Sequence, residues 1–254
     1  PPGRGWGGAP APPAAAPPPR PKPRGAPAPP SRREPVPADL AQRFDAAQRA
    51  LLEKLNRADA RYLARFEAIV VPERWDGDES EHSPLPQEVP ALAAHAKGRV
   101  VHQPIQAFAA YEHGRLVRWG PVSSGRREHE TPAGRFHLNW RSRARHSTVD
   151  PSWHMEWYFN FHNERGLALH QYALPGRPAS HACIRLLERD ARWIYEWGEG
   201  WELDARGQEV VVPGTPLGTL GRSDLEGPPP GLREDGPHPA VEIRLEEAGE
   251  EPPP

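Results

Sequence analysis

The chain has 254 residues, 37% of them hydrophobic, and a formal net charge of -2, which suits one catalytic domain with appendages. The near-neutral balance excludes the strongly basic surface of a nucleic-acid binder or of a protein drawn to anionic membrane, and no run of 18 apolar residues is present to span a bilayer. A single cysteine, Cys183, excludes an internal disulfide and a multi-thiolate zinc site within the chain.

Of the 35 prolines, 15 fall in the first 37 positions. Proline fixes φ and removes a donor, so residues 1–37 read as a disordered, extended tether. A spacer reaching from a membrane or through a wall is the favoured reading, and a polyproline ligand the alternative. The chain starts at Pro1, so an upstream segment carrying a signal peptide or lipid anchor is expected. Residues 38–72 read as one long amphipathic helix. Leu40, Phe44, Ala47, Leu51, Leu55, Ala58, Tyr62, Phe66 and Ile69 recur at steps of three and four, and Pro72 ends the run. Arg43, Arg49, Glu53, Lys54, Arg57 and Arg61 occupy the other face, and the helix is expected to pack on the catalytic domain or on a partner. Residues 73–97 read as an irregular linker.

From Arg99 the period changes to two, which predicts strands. Glu112-His113-Gly114 is a turn between two of them, with Gly114 able to take positive φ. Thr131-Pro132-Ala133-Gly134 is another turn. Trp153, Met155, Trp157, Phe159 and Phe161 alternate and are expected on one face, mostly as sheet core, with one or two tryptophans free to line a groove. A helix is expected over Leu186–Trp197, and late strands over Arg206–Val212 and Ala240–Leu245. Residues 222–254 form a Gly/Pro-rich, acidic tail.

The chemistry concentrates in residues 168–186, ALHQYALPGRPASHACIRL, which bring together His170, Ser180, His181, Cys183 and Arg185. A thiol is a good nucleophile only as thiolate, and a neighbouring imidazole can take its proton. His170 ends one predicted strand and Cys183 opens the next, across a Pro-Gly loop able to fold back. On residues alone, a buried small hydrophobe and a nucleophile are equally open readings for Cys183. Arg185 fits a carboxylate clamp or a surface ion pair. His129, His137, His146, His154 and His162 are scattered and read as solvated or structural. No HExxH-type ligand pair occurs.

This stretch resembles the catalytic signature of the L,D-transpeptidases, the YkuD-like family: a histidine, a spacer, then Ser/Thr-His-Gly-Cys and an arginine two positions on. His170, Ser180, His181, Cys183 and Arg185 match it. Leu174-Pro175-Gly176, Pro178-Ala179-Ser180, PVSSG at 121–125, TPAGRFHL at 131–138 and Gly214-Thr215-Pro216 are similar to further family motifs. The resemblance covers roughly 98–221.

It implies a mainly β, YkuD-like sandwich with a helix after the active-site block. It also implies a peptidoglycan L,D-transpeptidase of the periplasm or cell envelope. Cys183 would attack the diaminopimelate–D-Ala bond of a stem tetrapeptide, with His170 as base and His181 beside them. Ser180, Ala182 and Gln171 would orient the site and the oxyanion. Arg185, Trp157 and Tyr172 would bind substrate. The partners implied are stem peptides and an amine acceptor, which includes a surface-protein lysine. No metal or cofactor is implied. An impaired wall-binding domain and a carboxypeptidase using water are the alternatives. Ala182 stands where the family has glycine. The expectation is a negative φ there, so that alanine presents its N–H as glycine would.

Overall fold

The computed structural model describes residues 29–239 and 241–245. The expected tether therefore lies mostly outside the described residues, but its last part is ordered. Strand β1 (Ser31–Pro35) pairs antiparallel with β2 (Ala68–Pro72).

Between them the expected long helix is three short ones, α1 (Leu40–Arg43), α2 (Ala46–Asn56) and α3 (Ala60–Leu63). Local chemistry makes the cuts. Asp45 caps α2 in a reciprocal box with Gln48, whose N–H donates to Asp45 Oδ1 at 2.8 Å while Asp45 N–H donates to Gln48 Oε1 at 3.0 Å. Arg57 then takes a left-handed conformation, φ 58°, that closes α2. Asp59 caps α3.

The charged face is buried in part. Leu52, Ala58, Leu63 and Ile69 form one small core, while Leu51 packs against the large sheet. With core on both sides, Lys54 and Arg57 are 1% exposed. Lys54 Nζ donates to Trp119 O at 2.7 Å and pairs with Glu79.

The strands expected from Arg99 onward are present: β3 (Lys97–His102), β4 (Ala107–Glu112), β5 (Arg115–Ser123), β6 (Gly134–His137), β7 (Arg141–His146), β8 (His154–His162), β9 (Leu167–Gln171) and β10 (Ile184–Leu186). Helix α4 (Glu188–Trp197) follows, then β11 (Glu202–Leu203), β12 (Val210–Val212) and β13 (Pro216–Leu220). No strand forms over 241–245. The β4–β5 turn holds His113 at φ 47° and Gly114 at φ 75°.

These strands do not make a two-sheet sandwich. Nine of them form one sheet in the order β6-β13-β3-β4-β5-β10-β9-β8-β7. Strands β9 and β10 run parallel, as do β13 and β3. The sheet curls into a half-barrel: β6 lies at one edge and β8 near the other, yet the Phe136 and Phe161 rings meet edge-on at 5.3 Å. A strongly twisted sheet of this width closes toward itself rather than staying open. Val101, Phe108, Val122, Leu138, Phe159 and Ile184 fill the interior, and Ala191 and Ile194 of α4 cover its open side. The outer face, with Val100, Ala109 and Trp119, is covered by Leu85, Val89 and Leu92 of the 73–97 connection.

One local feature overturns the expected alternation in β8. The pairing steps from Glu156–Gln171 to Phe159–Leu169, so β8 carries one extra residue there, and Trp157 sits at φ 53°. This is a bulge. It turns Met155 to a cluster with Tyr158, while Trp157, Phe159 and Phe161 face the main core.

Candidate active site

Because β9 and β10 are parallel neighbours, with Leu169 opposite Ile184 and His170 opposite Arg185, the chain must cross over between them. That crossover is loop 172–183. It ends with Cys183 directly before β10, and His170 and Cys183 line one cleft of about 220 Å3 with Tyr172, Ser180, His181 and Arg185.

The loop is braced on every side. Asp59 N–H donates to Leu174 O and Leu174 N–H donates to Asp59 Oδ2, each at 3.0 Å. Gly176 is at φ 81°, and a Cβ there would stand 2.6 Å from Phe66 Cζ, so only glycine fits. Ser123 Oγ donates to Arg177 O at 2.8 Å, and the N–H groups of Ala179 and Ser180 both donate to Ser124 O at 3.0 Å. Ser180 Oγ donates to Cys183 O. Thr131 Oγ1 donates to Ala182 O and accepts from Gly125 N–H, both at 2.9 Å. The PVSSG and TPAGRFHL segments thus meet the loop through Ser123, Ser124, Gly125 and Thr131.

His170 is buried, and its Nδ1 lies 2.9 Å from Gln171 O. With Nδ1–H donating to that carbonyl, Nε2 is the nitrogen left to accept a proton. Burial pulls the His170 pKa down to about 4. It also pushes the half-buried Cys183 thiol above its ordinary value, against a hydrogen bond from Ala168 backbone and the charges of Arg185 and Arg145. At neutral pH both groups are therefore neutral. A thiol thus stands in the same cleft as an unprotonated imidazole, and the proton has to move during attack. Helix α4 starts at Glu188, with Leu187 as its N-cap, beyond reach of Cys183.

The other expected site residues divide. The His181 ring stacks on His129 at 4.2 Å and meets Trp153 edge-on at 4.7 Å, and burial is the leading cause that lowers its pKa. The Arg185 guanidinium lies over the Tyr172 ring at 4.6 Å. Gln171 lines a neighbouring cavity with Glu53, Asp59 and Glu188 rather than the cleft. Trp157 packs in the core against Tyr195 and does not line the cleft.

Ala182 differs from expectation in its backbone, which sits at φ 73°. Both neighbours demand this: its carbonyl is held by Thr131 and its methyl packs in the core. Alanine and glycine carry the same backbone N–H. Ala182→Gly should therefore stabilise the fold by about 1 kcal/mol, the usual relief for a left-handed alanine, in denaturant unfolding. It should change the acylation rate of Cys183 by less than about tenfold, since no oxyanion donor is gained.

Several cleft residues had no motif to announce them. Trp140 lies directly before β7, Arg145 and Tyr158 come from β7 and β8 and Arg165 from the turn after β8, and Trp153 and Met155 read as core. Only the β8 bulge and the curl of the sheet bring them to Cys183.

A thiol at the end of the crossover loop and a neutral imidazole on the neighbouring strand β9, in a cleft walled by aromatic and cationic groups, make a site suited to acyl transfer through sulfur. Residues 99–217 match the family model described as YkuD, the L,D-transpeptidase catalytic domain. Among solved structures, an L,D-transpeptidase from Stackebrandtia nassauensis is 20% identical over 52% of this chain and 59% of its own length, with a TM-score of 0.42. One from Mycobacterium smegmatis is 18% identical over 50% and 59%, with a TM-score of 0.40. One from Mycobacterium tuberculosis H37Rv is 23% identical over 50% and 58%, with a TM-score of 0.39. This chain thus spans less than two thirds of each of them. No curated protein matches it.

Proposed function

We propose that the protein is a peptidoglycan L,D-transpeptidase of the cell envelope, with residues 98–221 as its catalytic unit. The observation that carries this is Cys183 and His170 on one cleft, with His170 Nδ1 occupied by Gln171 O and Nε2 left as base. Cys183 Sγ attacks the carbonyl of the diaminopimelate–D-Ala bond while His170 takes the thiol proton. The N–H groups of Ala182 and Cys183 hold the oxyanion. The C–N bond breaks, His170 returns the proton to the leaving D-Ala amine, and a thioester remains. An acceptor amine then attacks it, the C–S bond breaks and the thiol is reprotonated. The acceptor is a second diaminopimelate, a D-amino acid or a lysine of a surface protein. Arg185 and Tyr172 bind the donor, and His181 and Ser180 keep the loop in shape.

The left-handed alanine at 182 and the raised thiol pKa favour one second reading, an impaired wall-binding domain. Exposure to a carbapenem separates the two. The strained lactam carbonyl acylates the thiol, the ring C–N bond opens, and no group leaves. Intact-mass measurement should show a gain of one whole carbapenem, absent in Cys183→Ala. An unmodified wild type whose thiol is shown to be reduced would leave the wall-binding reading in front. Release of D-Ala from a stem tetrapeptide without a joined product would point to water as acceptor.

A further inference from the structure

The cleft around Cys183 is cationic on one side only of the charge ledger. Arg145, Arg165 and Arg185 line it, and no Asp or Glu stands among the described residues that do. None of the three forms an ion pair among the described residues. The nearest acid on β8, Glu156, is engaged by Arg143 at 3.5 Å. Arg145 and Arg185 are instead held on aromatic faces, Arg145 over Trp140 at 5.1 Å and Tyr158 at 4.9 Å, and Arg185 over Tyr172 at 4.6 Å. Stacking fixes each guanidinium plane while leaving its N–H edge free for an anion. Arg165 sits exposed in the turn after β8, at the rim. The charges of Arg185 and Arg145 both act on the Cys183 thiol, so both stand close to the reacting atoms.

Resting on the transpeptidase reading above, we propose that Arg145, Arg165 and Arg185 make this cleft selective for donor stem peptides whose carboxylates are free, and that amidated stem peptides are poor donors. The chemistry is that of the guanidinium fork. A carboxylate offers two anionic acceptors that match it. A carboxamide offers one neutral acceptor and turns an NH2 group toward N–H donors, which leaves donors unpaired. A site built to pair a group rejects the analogue that lacks it more strongly than an apolar pocket rejects a missing methylene. Two of the three arginines, Arg145 on β7 and Arg165 in the turn after β8, lie outside the His170–Arg185 stretch.

The test offers the full chain two tetrapeptides, one with free carboxylates and one amidated at the diaminopimelate and D-Glu carboxyls, and follows D-Ala release by mass spectrometry. The free donor should be used at least about tenfold faster in kcat/KM. Arg145→Gln and Arg165→Gln should each shrink that ratio by slowing the free donor alone. Equal use of the two donors by the wild type overturns the proposal and leaves the transpeptidase reading intact. Release from neither donor overturns both together. A ratio unchanged in Arg145→Gln and Arg165→Gln also overturns it, because the selectivity would then come from elsewhere in the cleft.

Discussion

His170→Gln should slow acylation of Cys183 by about a thousandfold, the usual worth of a positioned general base, with the fold retained. The size follows from the state of the pair. Burial keeps the thiol protonated at neutral pH, so attack without a base must first meet the cost of a raised thiol pKa. His170, held at about 4, is ready to accept a proton at any pH well above that value. The wild-type acylation rate should accordingly fall on the acid side only near pH 4, and in His170→Gln it should instead climb with pH into the alkaline range as the thiol ionises. Stopped-flow acylation across pH, with both variants checked by circular dichroism, reads this. A flat ratio of the two rates across pH would remove His170 from the role of base. The same burial has a stability consequence. In the unfolded chain a histidine takes up its proton near 6.5, in the folded chain only near 4. The unfolded state binds the extra proton in that window, so stability falls as pH drops from 6.5 to 4, by up to about 3 kcal/mol. His170→Gln should lose that dependence.

Arg57→Met should destabilise the protein by about 3 kcal/mol or more in urea unfolding. Arg57 is fully buried and has no carboxylate partner among the described residues. Its guanidinium is solvated by main-chain carbonyls: Nε donates to Ile105 O at 3.1 Å, Nη1 to Leu55 O at 3.2 Å and to Lys54 O, and Nη2 to Pro237 O at 2.9 Å. These carbonyls belong to α2, to the β3–β4 connection and to the C-terminal segment, so one side chain ties three regions together. Methionine fills much of the volume but leaves the carbonyls dry and unpaired. Arg57→Lys should recover little, since a single ammonium cannot reach in three directions as the planar fork does. A loss under about 1 kcal/mol for Arg57→Met would show that water or a neighbour replaces the fork.

What could be read in the chain and what could not separate cleanly by physical scale. Cys183, His170, Ser180, His181 and Arg185 were visible because their chemistry sits within 16 positions, and the strand–loop–strand pattern around them is a local property. The switch from helical to alternating period near Arg99, the turn at Gly114 and the helix after Leu186 were visible for the same reason: each is set by side chains a few residues apart. Sequence periodicity also marked the N-terminal apolar stripe, but it could not show that the stripe is cut at Asp45 and Arg57, since caps compete with continuation by only about 1 kcal/mol.

That Lys54 and Arg57 are themselves buried was not legible, because a second surface, the outer face of the sheet, covers them, and no local pattern carries that information. The half-barrel was decided in the same way. Whether strands form two sheets or one that curls depends on accumulated twist and on which edges meet, as Phe136 and Phe161 do. At the site, tertiary structure alone put Ala182 at positive φ, through Thr131 from 51 positions away, and removed Trp157 from the cleft through one extra residue in β8. It also set the charge state of the central pair. A cysteine and a histidine suggest an ion pair by composition, but burial penalises both charges together, and only packing determines burial.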